Sequence, residues 1–419
     1  MKPTSLFLLC LASLSTAAFA GDWPEFRGPN NDGQSTETGL PTEWGPDKNI
    51  VWKTALPAGS ESNGSPIVSN CRVFLTSAEK SEGKTRTLHC FDHKTGEELW
   101  MRDIKVEQIW ETHKTNLYGG STPASDGKSV VVWHQSAGLI CYDFEGNEIW
   151  NRNLGGFKHM WGYGASPIID QGRVILHAGP GPNVFMTSID LKTGETQWKT
   201  DEPVSGNGER NPKNKYMGSW STPVIANDLI VCSFATRVNG YDPATGKIVW
   251  SCDGLIGPKG DLAYTSPVIA GDVCVAMGGF GGPAFGFKMS GEGNITESAR
   301  LWREEKSPQR IGSGVYVGKH VYIANAGPAL FQCIDPATGE SAWEERAPGA
   351  AHWGSMIHAD GRLYVTDQQG TTHVIKPNPE KLELLASNRL GERSNSTPAF
   401  SDGQIFIRTF GNIYCIGVD

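Results

Sequence analysis

The side chains of this chain best able to bind or transform a ligand stand just ahead of one recurrent strand. They are His113, His159, Trp161, Tyr163, Arg210, Trp220, Tyr264, Arg310, His352, Trp353, Arg393 and Asn395, with Lys213 nearby. Aromatic platforms with Arg, His and Asn between them suit a flat or sugar-like ligand, or one bearing a carboxylate, through stacking and charge-assisted hydrogen bonds. A Trp or Tyr at such a place plugs a channel as readily as it lines a site, and His113 and His352 also read as satisfied loop histidines. Glu111, Glu209 and Asp261 are the carboxylates that a carbohydrate-active enzyme would draw on.

Other chemistry leaves no motif. There is no His-Glu-x-x-His helix, Cys-x-x-Cys pair, Gly-x-Ser-x-Gly elbow or phosphate loop, and no Ser has an identifiable base partner. Gly278-Gly-Phe-Gly-Gly282 has no helix after it and reads as a hairpin rather than a nucleotide site. Asn30, Asn31 and Asp32 lack the spaced carboxylates of a calcium loop and read as a turn.

The elements that position these loops recur. Cys90-Phe-Asp-His-Lys-Thr-Gly-Glu-Glu-Leu-Trp100 returns with Asp190, Gly194 and Trp198, with Asp242, Gly246 and Trp250, and with Asp335, Gly339 and Trp343, where Asp92 and Gly96 stood first. A shortened copy ends at Trp150, a degraded one at Trp302, and Trp52 keeps only the tail. Successive tryptophans from Trp52 to Trp343 lie 48, 50, 48, 52, 52 and 41 residues apart, the period of a repeat architecture. The Asp carboxylate accepts N–H groups of the turn, Thr-Gly supplies a hydroxyl and the positive φ of a tight hairpin, and the indole packs toward a neighbouring unit.

A small-residue strand alternates with this phrase: Gly64-Ser-Pro-Ile-Val68, Ser121-Thr-Pro-Ala124, Ala165-Ser-Pro-Ile-Ile169 and their like. Alignment gives eight copies, all with a hydroxyl at one position: Ser65, Thr122, Ser166, Thr222, Ser266, Ser313, Ser355 and Thr397. Proline needs a strand edge without a ladder partner, so this strand is innermost, facing a central axis. The hydroxyls read as a hydrogen-bonded belt, since eight copies cannot all be catalytic. Three residues upstream of the Pro position stand Asn63, Gly120, Gly164, Trp220, Tyr264, Ile311, Trp353 and Asn395, and one further back lie Tyr163, Arg310 and His352.

Four short strands repeated eight times predict an all-β fold, an eight-bladed β-propeller of four-stranded antiparallel blades. Glycine, 51 of 419 residues, supplies the turns. The last unit stops before a Trp strand, and Asn49 to Ala55 is a Trp strand without inner strands. Joining the two closes the last blade by an N-terminal strand and removes exposed edges. The expected division is residues 1–20 as a leader, 21–47 as an extension packing on the propeller, and 48–419 as one propeller.

Residues 1–20 read as a secretory signal peptide cleaved after Ala20, and Cys10, preceded by Leu8 and Leu9, does not read as a lipid anchor. The expected location is periplasmic or secreted, with no membrane span. Without the leader, 36 basic residues face 45 acidic ones, a net of −9 that offers nucleic acid no basic stripe. Cys90, Cys141, Cys333 and Cys415 share one strand position in different blades, too far apart for a disulfide, and read as free, buried thiols. A bridge among Cys71, Cys232, Cys252 and Cys274 stays open.

The Asp-x-x-Thr-Gly-x-x-x-Trp phrase at Asp92 to Trp100, Asp190 to Trp198, Asp242 to Trp250 and Asp335 to Trp343 resembles the tryptophan-docking repeat of the quinoprotein (PQQ-like) propellers. That superfamily holds PQQ-dependent alcohol dehydrogenases and non-catalytic members, among them the propeller of the outer-membrane protein assembly machinery. For the enzymes it implies adjacent cysteines against the cofactor, a Glu and an Asn on calcium, and an Asp base. No two cysteines are adjacent here and none of those motifs matches. The reading is a non-catalytic binding or scaffold module for a protein partner or a small ligand such as a carbohydrate or carboxylate, without PQQ or metal. A divergent PQQ dehydrogenase or a carbohydrate-active enzyme is the alternative.

Overall fold

The computed structural model describes residues 21–79, 82–202, 209–346 and 348–418, so the segment expected to be a leader, residues 1–20, lies outside the described residues. Eight four-stranded antiparallel blades surround a central channel, as the repeats require. Blade 1 runs outward through Ile67–Ser69, Arg72–Glu79, Thr85–Asp92 and Glu98–Lys105. Blades 2 to 7 begin at Ala124, Ile168, Val224, Val268, Val315 and Ile357. Blade 8 takes Ala399–Ser401, Gln404–Arg408 and Asn412–Ile416 from one end of the described chain and Ile50–Ala55 from the other. Trp52 sits opposite Cys415, the pairing that Trp100 makes with Cys90.

Two details correct the strand reading. The Pro of each Ser-Pro pair precedes the inner strand instead of lying in it, which leaves the ladder intact: Pro66 comes before Ile67–Ser69. The outer strand also continues past its Trp, so that Trp100 is the third residue of Glu98–Lys105, with a bulge opposite Cys90 and Phe91. Such a bulge recurs in other blades and spaces the indole from the turn.

The turn works as its residues suggest. Asp92 Oδ1 accepts the N–H of Lys94 at 3.0 Å, the N–H of Thr95 at 2.9 Å and the Thr95 hydroxyl at 3.0 Å, while Gly96 takes φ 70°. Each indole then reaches the turn of the following blade. Trp52 Nε1 donates to His93 O at 2.9 Å, Trp100 to Phe144 O at 2.8 Å, Trp150 to Leu191 O at 2.8 Å and Trp198 to Pro243 O at 2.9 Å. Trp302 and Trp343 do the same to Pro336 O and Asn378 O, both at 2.8 Å. Trp250 is the exception: its N–H has no partner among the described residues, because blade 5 has an insertion where that turn would be. Gly293–Asn294 of the insertion pairs in parallel with Trp250 and Ser251 instead, extending blade 4. Ala386 holds the Trp position of blade 7.

Residues 22–36 cross one end of the channel. Trp23 pairs with Val68, Ser125 N–H donates to Pro24 O at 2.9 Å, and Glu25 Oε2 accepts the Ile169 N–H at 2.8 Å. Arg27 donates to Gly314 O, and Gly33 O accepts the His358 N–H at 2.8 Å. This segment therefore ties blades 1, 2, 3, 6 and 7 together. The eight cysteines of the described residues are all free thiols, and only Cys71 is exposed. No helix among the described residues is long and apolar enough to cross a membrane.

Candidate functional site

The hydroxyl belt forms the waist of the channel. Ser65 N–H donates to Thr122 Oγ1 at 2.9 Å, Thr122 N–H to Ser166 Oγ at 3.0 Å, and Ser166 N–H to Thr222 Oγ1 at 3.0 Å. Ser266, Ser313, Ser355 and Thr397 continue to Ser313, Ser355, Thr397 and Ser65 at 3.0, 3.1, 2.9 and 2.9 Å. The circle is open at one place, between Thr222 and Ser266. A chain that spends its N–H groups sideways in this way needs no ladder partner there, which suits the Pro that follows.

A cavity of about 320 Å³ is lined by all eight belt residues and by Phe26 of the crossing segment. All eight residues three before the Pro position line it: Asn63, Gly120, Gly164, Trp220, Tyr264, Ile311, Trp353 and Asn395. Extended chain alternates faces with period two, so these share the side of the belt hydroxyls. The same parity removes the residues one further back. Tyr163 is buried in the blades with its hydroxyl on Tyr118 O at 2.8 Å, and Arg310 is buried against Asn325 and Gln332. His352 packs on Phe331 and His373. Burial pushes Arg310 down to about 10 and His352 down to about 4, so both serve the blades and not the mouth.

Of the more distant candidates, His113 and Trp161 line the cavity, His113 with Nδ1 2.7 Å from the Thr115 hydroxyl. His159 stands behind the wall with Nε2 3.0 Å from Met217 O, and burial lowers its pKa. Arg210 lies over the Tyr216 ring, 3.8 Å from its centroid, and Arg393 over Phe410. Neither guanidinium reaches the cavity, and among the described residues no Lys, Arg, Asp or Glu lines it. A carboxylate ligand would therefore meet His113 there but no Lys or Arg among the described residues. Glu111, Glu209 and Asp261 are also off the wall, with Asp261 Oδ2 accepting from Asn211 at 2.9 Å.

The wall has two unlike sides. On blades 4 and 5, Trp220 and Tyr264 have ring centroids 5.2 Å apart, and Trp161 joins them 5.9 Å from Trp220. Phe280, from the Gly278–Gly282 hairpin, packs edge-on against Trp161 at 5.3 Å. On blades 8 and 1, Asn395 Nδ2 donates to Asn63 Oδ1 at 3.0 Å, and Asn63 Nδ2 donates to Asn116 Oδ1 at 3.1 Å. Trp353 completes the ring, with no aromatic partner among the described residues. Sequence reasoning missed Phe280, Thr115, Asn116, Gln309 and Phe26, which come from loops with no repeat to align.

One serine does have a base partner, contrary to the sequence reading. Ser77 Oγ is 2.6 Å from His89 Nε2, and His89 Nδ1 is 2.6 Å from Glu98 Oε1, across three strands of blade 1. Ser77 is fully buried and accepts the Ser60 hydroxyl at 2.6 Å. No substrate reaches it, so the relay cross-links the blade.

The resemblance raises PQQ with calcium as an occupant. PQQ is a tricarboxylate, and the described wall of the cavity offers it no Lys or Arg. Among the described residues no group of three His, Cys, Asp or Glu is placed to hold a metal ion. The residues present do not fit this cofactor.

A family model described as outer membrane protein assembly factor BamB matches residues 84–345 and 332–419. A polyvinylalcohol dehydrogenase from Sphingopyxis sp. is 23% identical over an alignment of 280 residues that covers 57% of this chain and 42% of that protein. The match thus spans less than half of the relative's own length. Among solved structures, BamB from Moraxella catarrhalis aligns with TM-score 0.60 and 14% identity over 88% of this chain and 97% of its own. A europium-containing methanol dehydrogenase aligns with TM-score 0.70 and 11% identity over 95% and 98%. Quinohemoprotein alcohol dehydrogenase from Comamonas testosteroni gives 0.70 and 14% over 96% and 82%. At these identities the structures share the fold alone.

Proposed function

The chain belongs to the family whose model is described as outer membrane protein assembly factor BamB, and we propose that it is an exported, non-catalytic binding propeller. Its ligand is a small uncharged molecule held in the channel-mouth cavity. The observation that supports this most is the wall itself: aromatic rings, amides and hydroxyls surround the space, with no carboxylate, ammonium or guanidinium among its described residues. Acid–base catalysis draws on His, carboxylate, Lys or Tyr groups within reach of the ligand; of these the described wall holds His113 and Tyr264, and His113 Nδ1 is engaged with the Thr115 hydroxyl.

Two assays on the full chain test the reading. Dye-linked alcohol oxidation after incubation with PQQ and calcium is expected to stay at background, and turnover above it refutes the non-catalytic assignment. Quenching of tryptophan fluorescence by uncharged ring compounds is expected to weaken in Trp353→Ala or Trp220→Ala, by about 1 to 3 kcal/mol for a true anchor. Arg393→Ala, whose guanidinium lies over Phe410, is expected to leave binding unchanged. A ligand indifferent to both tryptophans places the site elsewhere.

A second reading, a protein scaffold, is supported by the family's description and by aliphatic side chains exposed on outer strands, among them Leu99, Met101, Ile149, Leu384 and Leu385. A third, a divergent dehydrogenase, draws on the similarity to a polyvinylalcohol dehydrogenase.

A further inference from the structure

The two unlike sides of the cavity face each other. In a ring of eight blades, blade 4 is opposite blade 8 and blade 5 opposite blade 1, so Trp220 and Tyr264 look across the axis at Asn395 and Asn63. A ligand between them meets aromatic rings on one side and amides on the other.

The hydrogen-bond accounting then says what those amides lack. Asn63 Nδ2 donates to Thr115 O at 3.0 Å and to Asn116 Oδ1 at 3.1 Å, and Asn395 Nδ2 donates to Asn63 Oδ1 at 3.0 Å and Thr115 O at 3.3 Å. Asn116 Nδ2 donates to Trp161 O at 2.6 Å and Tyr163 O at 2.9 Å. Every amide N–H is spent. Each amide oxygen has accepted one bond, from Asn395, from Asn63 and, at Asn395, from Gln368 at 3.0 Å. A carbonyl oxygen has two lone pairs, so these three amides keep acceptors and no donors.

The belt below is its complement. Its hydroxyl oxygens accept backbone N–H groups, as at Thr122 and Ser166, and no acceptor among the described residues takes the protons of those two. The waist therefore presents donors.

We propose that the cavity binds a neutral saccharide of about one or two rings, a size suited to a pocket at the lower end of the usual ligand range of roughly 300 to 1,000 Å³. This rests on reading the cavity as a ligand site. A pyranose has an apolar C–H face for Trp220 and Tyr264, and edge hydroxyls that both donate and accept. Those hydroxyls donate to the Asn63 and Asn395 oxygens and accept from the belt. A flat heteroaromatic fills the aromatic side but leaves one of the two polar surfaces unmet, and a uronate or phosphosugar brings a charge that no Lys or Arg on the described wall pairs.

The test titrates the full chain with glucose, N-acetylglucosamine, cellobiose, maltose, lactose and N,N′-diacetylchitobiose, following saturation-transfer NMR and calorimetry. Glucuronic acid serves as the charged control and indole as the uncharged aromatic one. At least one neutral saccharide is expected to bind, with transfer strongest to ring C–H protons, and glucuronic acid at least about tenfold more weakly than glucose. Ile311→Trp, which fills the cavity from blade 6, and Trp353→Ala, which removes the lone indole of its wall, are each expected to weaken that saccharide at least about tenfold. Their melting curves report folding separately. Indole binding without any neutral saccharide overturns the saccharide assignment and leaves the cavity a ligand site. Binding of neither overturns both, and saccharide binding unchanged in both variants overturns the placement.

Discussion

Gly194 has two jobs that a double-mutant cycle separates. It takes φ 70° in the turn of blade 3, and a Cβ built on it stands 2.7 Å from Cγ and 2.8 Å from Cδ2 of Trp150, the indole docking from blade 2. Gly194→Ala therefore costs about 1 to 2 kcal/mol for the left-handed backbone and about 1 to 3 kcal/mol more for overpacking the ring. Trp150→Ala alone removes a buried indole and its bond to Leu191 O, a loss of about 3 to 5 kcal/mol. With the ring gone, the alanine at 194 keeps its backbone cost and one tight contact, 3.1 Å to the Cβ of residue 150. The two losses should then fall short of additivity by about 1 to 3 kcal/mol. Gly172, in the same blade at φ 76° with nothing within 4 Å of a built Cβ, supplies the control. Gly172→Ala should match Gly194→Ala measured in the Trp150→Ala background. Urea unfolding of the variants, compared at constant m-value, decides. Additivity within about 0.5 kcal/mol would falsify the idea that the turn glycine makes room for the docking indole.

Two further perturbations address the crossing segment and the thiols. Burial raises the Glu25 carboxyl from 4.5 to about 8, against opposing hydrogen bonds from Ile169 and Asn31. The folded state thus holds a proton that the unfolded chain releases, so stability is fullest below about 4.5 and falls as pH rises toward 8. The loss is at most about 4 to 5 kcal/mol, and Glu25→Gln, which keeps an acceptor for Ile169, should abolish it. Parallel melting-versus-pH curves for the two proteins would rule this out. For the thiols, Cys71 alone is exposed, while burial pushes Cys90, Cys141 and Cys415 up to about 12. Alkylation of the native protein should modify Cys71 only, and denaturation without reductant should release the other seven. Peptide mapping that finds Cys90 bridged to Cys141 contradicts the blade alignment.

What the sequence reveals of this propeller depends on repetition. The belt hydroxyls and the residues two positions before them are legible because eight copies fix which residues share a register, and the period of extended chain then assigns a face. Tyr163, Arg310 and His352 miss the mouth by one position, which in a strand is the difference between axis and core. Phe280 and Asn116 arrive on loops of unequal length, so no register could place them. The Ser77–His89–Glu98 relay spans three strands and a bulge, and nothing in the linear spacing of 12 and 9 residues announces it.

The contrast between the two positions bears on the purpose of the channel. At the belt, all eight copies keep a small hydroxyl, and at every blade but the fifth, where Ser266 stands, it accepts the N–H of the preceding copy. Two residues earlier the eight copies are Asn, Gly, Gly, Trp, Tyr, Ile, Trp and Asn, so the same backbone frame is decorated differently around the axis. A plug would place bulk at each of these positions, but Gly120 and Gly164 keep the wall of blades 2 and 3 open. A Cβ at Gly120 would stand 2.9 Å from Tyr163 O, and one at Gly164 3.3 Å from Trp220 Cδ1, so side chains there would crowd the wall itself. The glycines thus sit where the backbone of blade 3 and the ring of blade 4 come closest. With amides to one side of them and aromatic rings to the other, an eightfold frame becomes a one-directional slot, which is the form that recognition of an amphipathic ring requires.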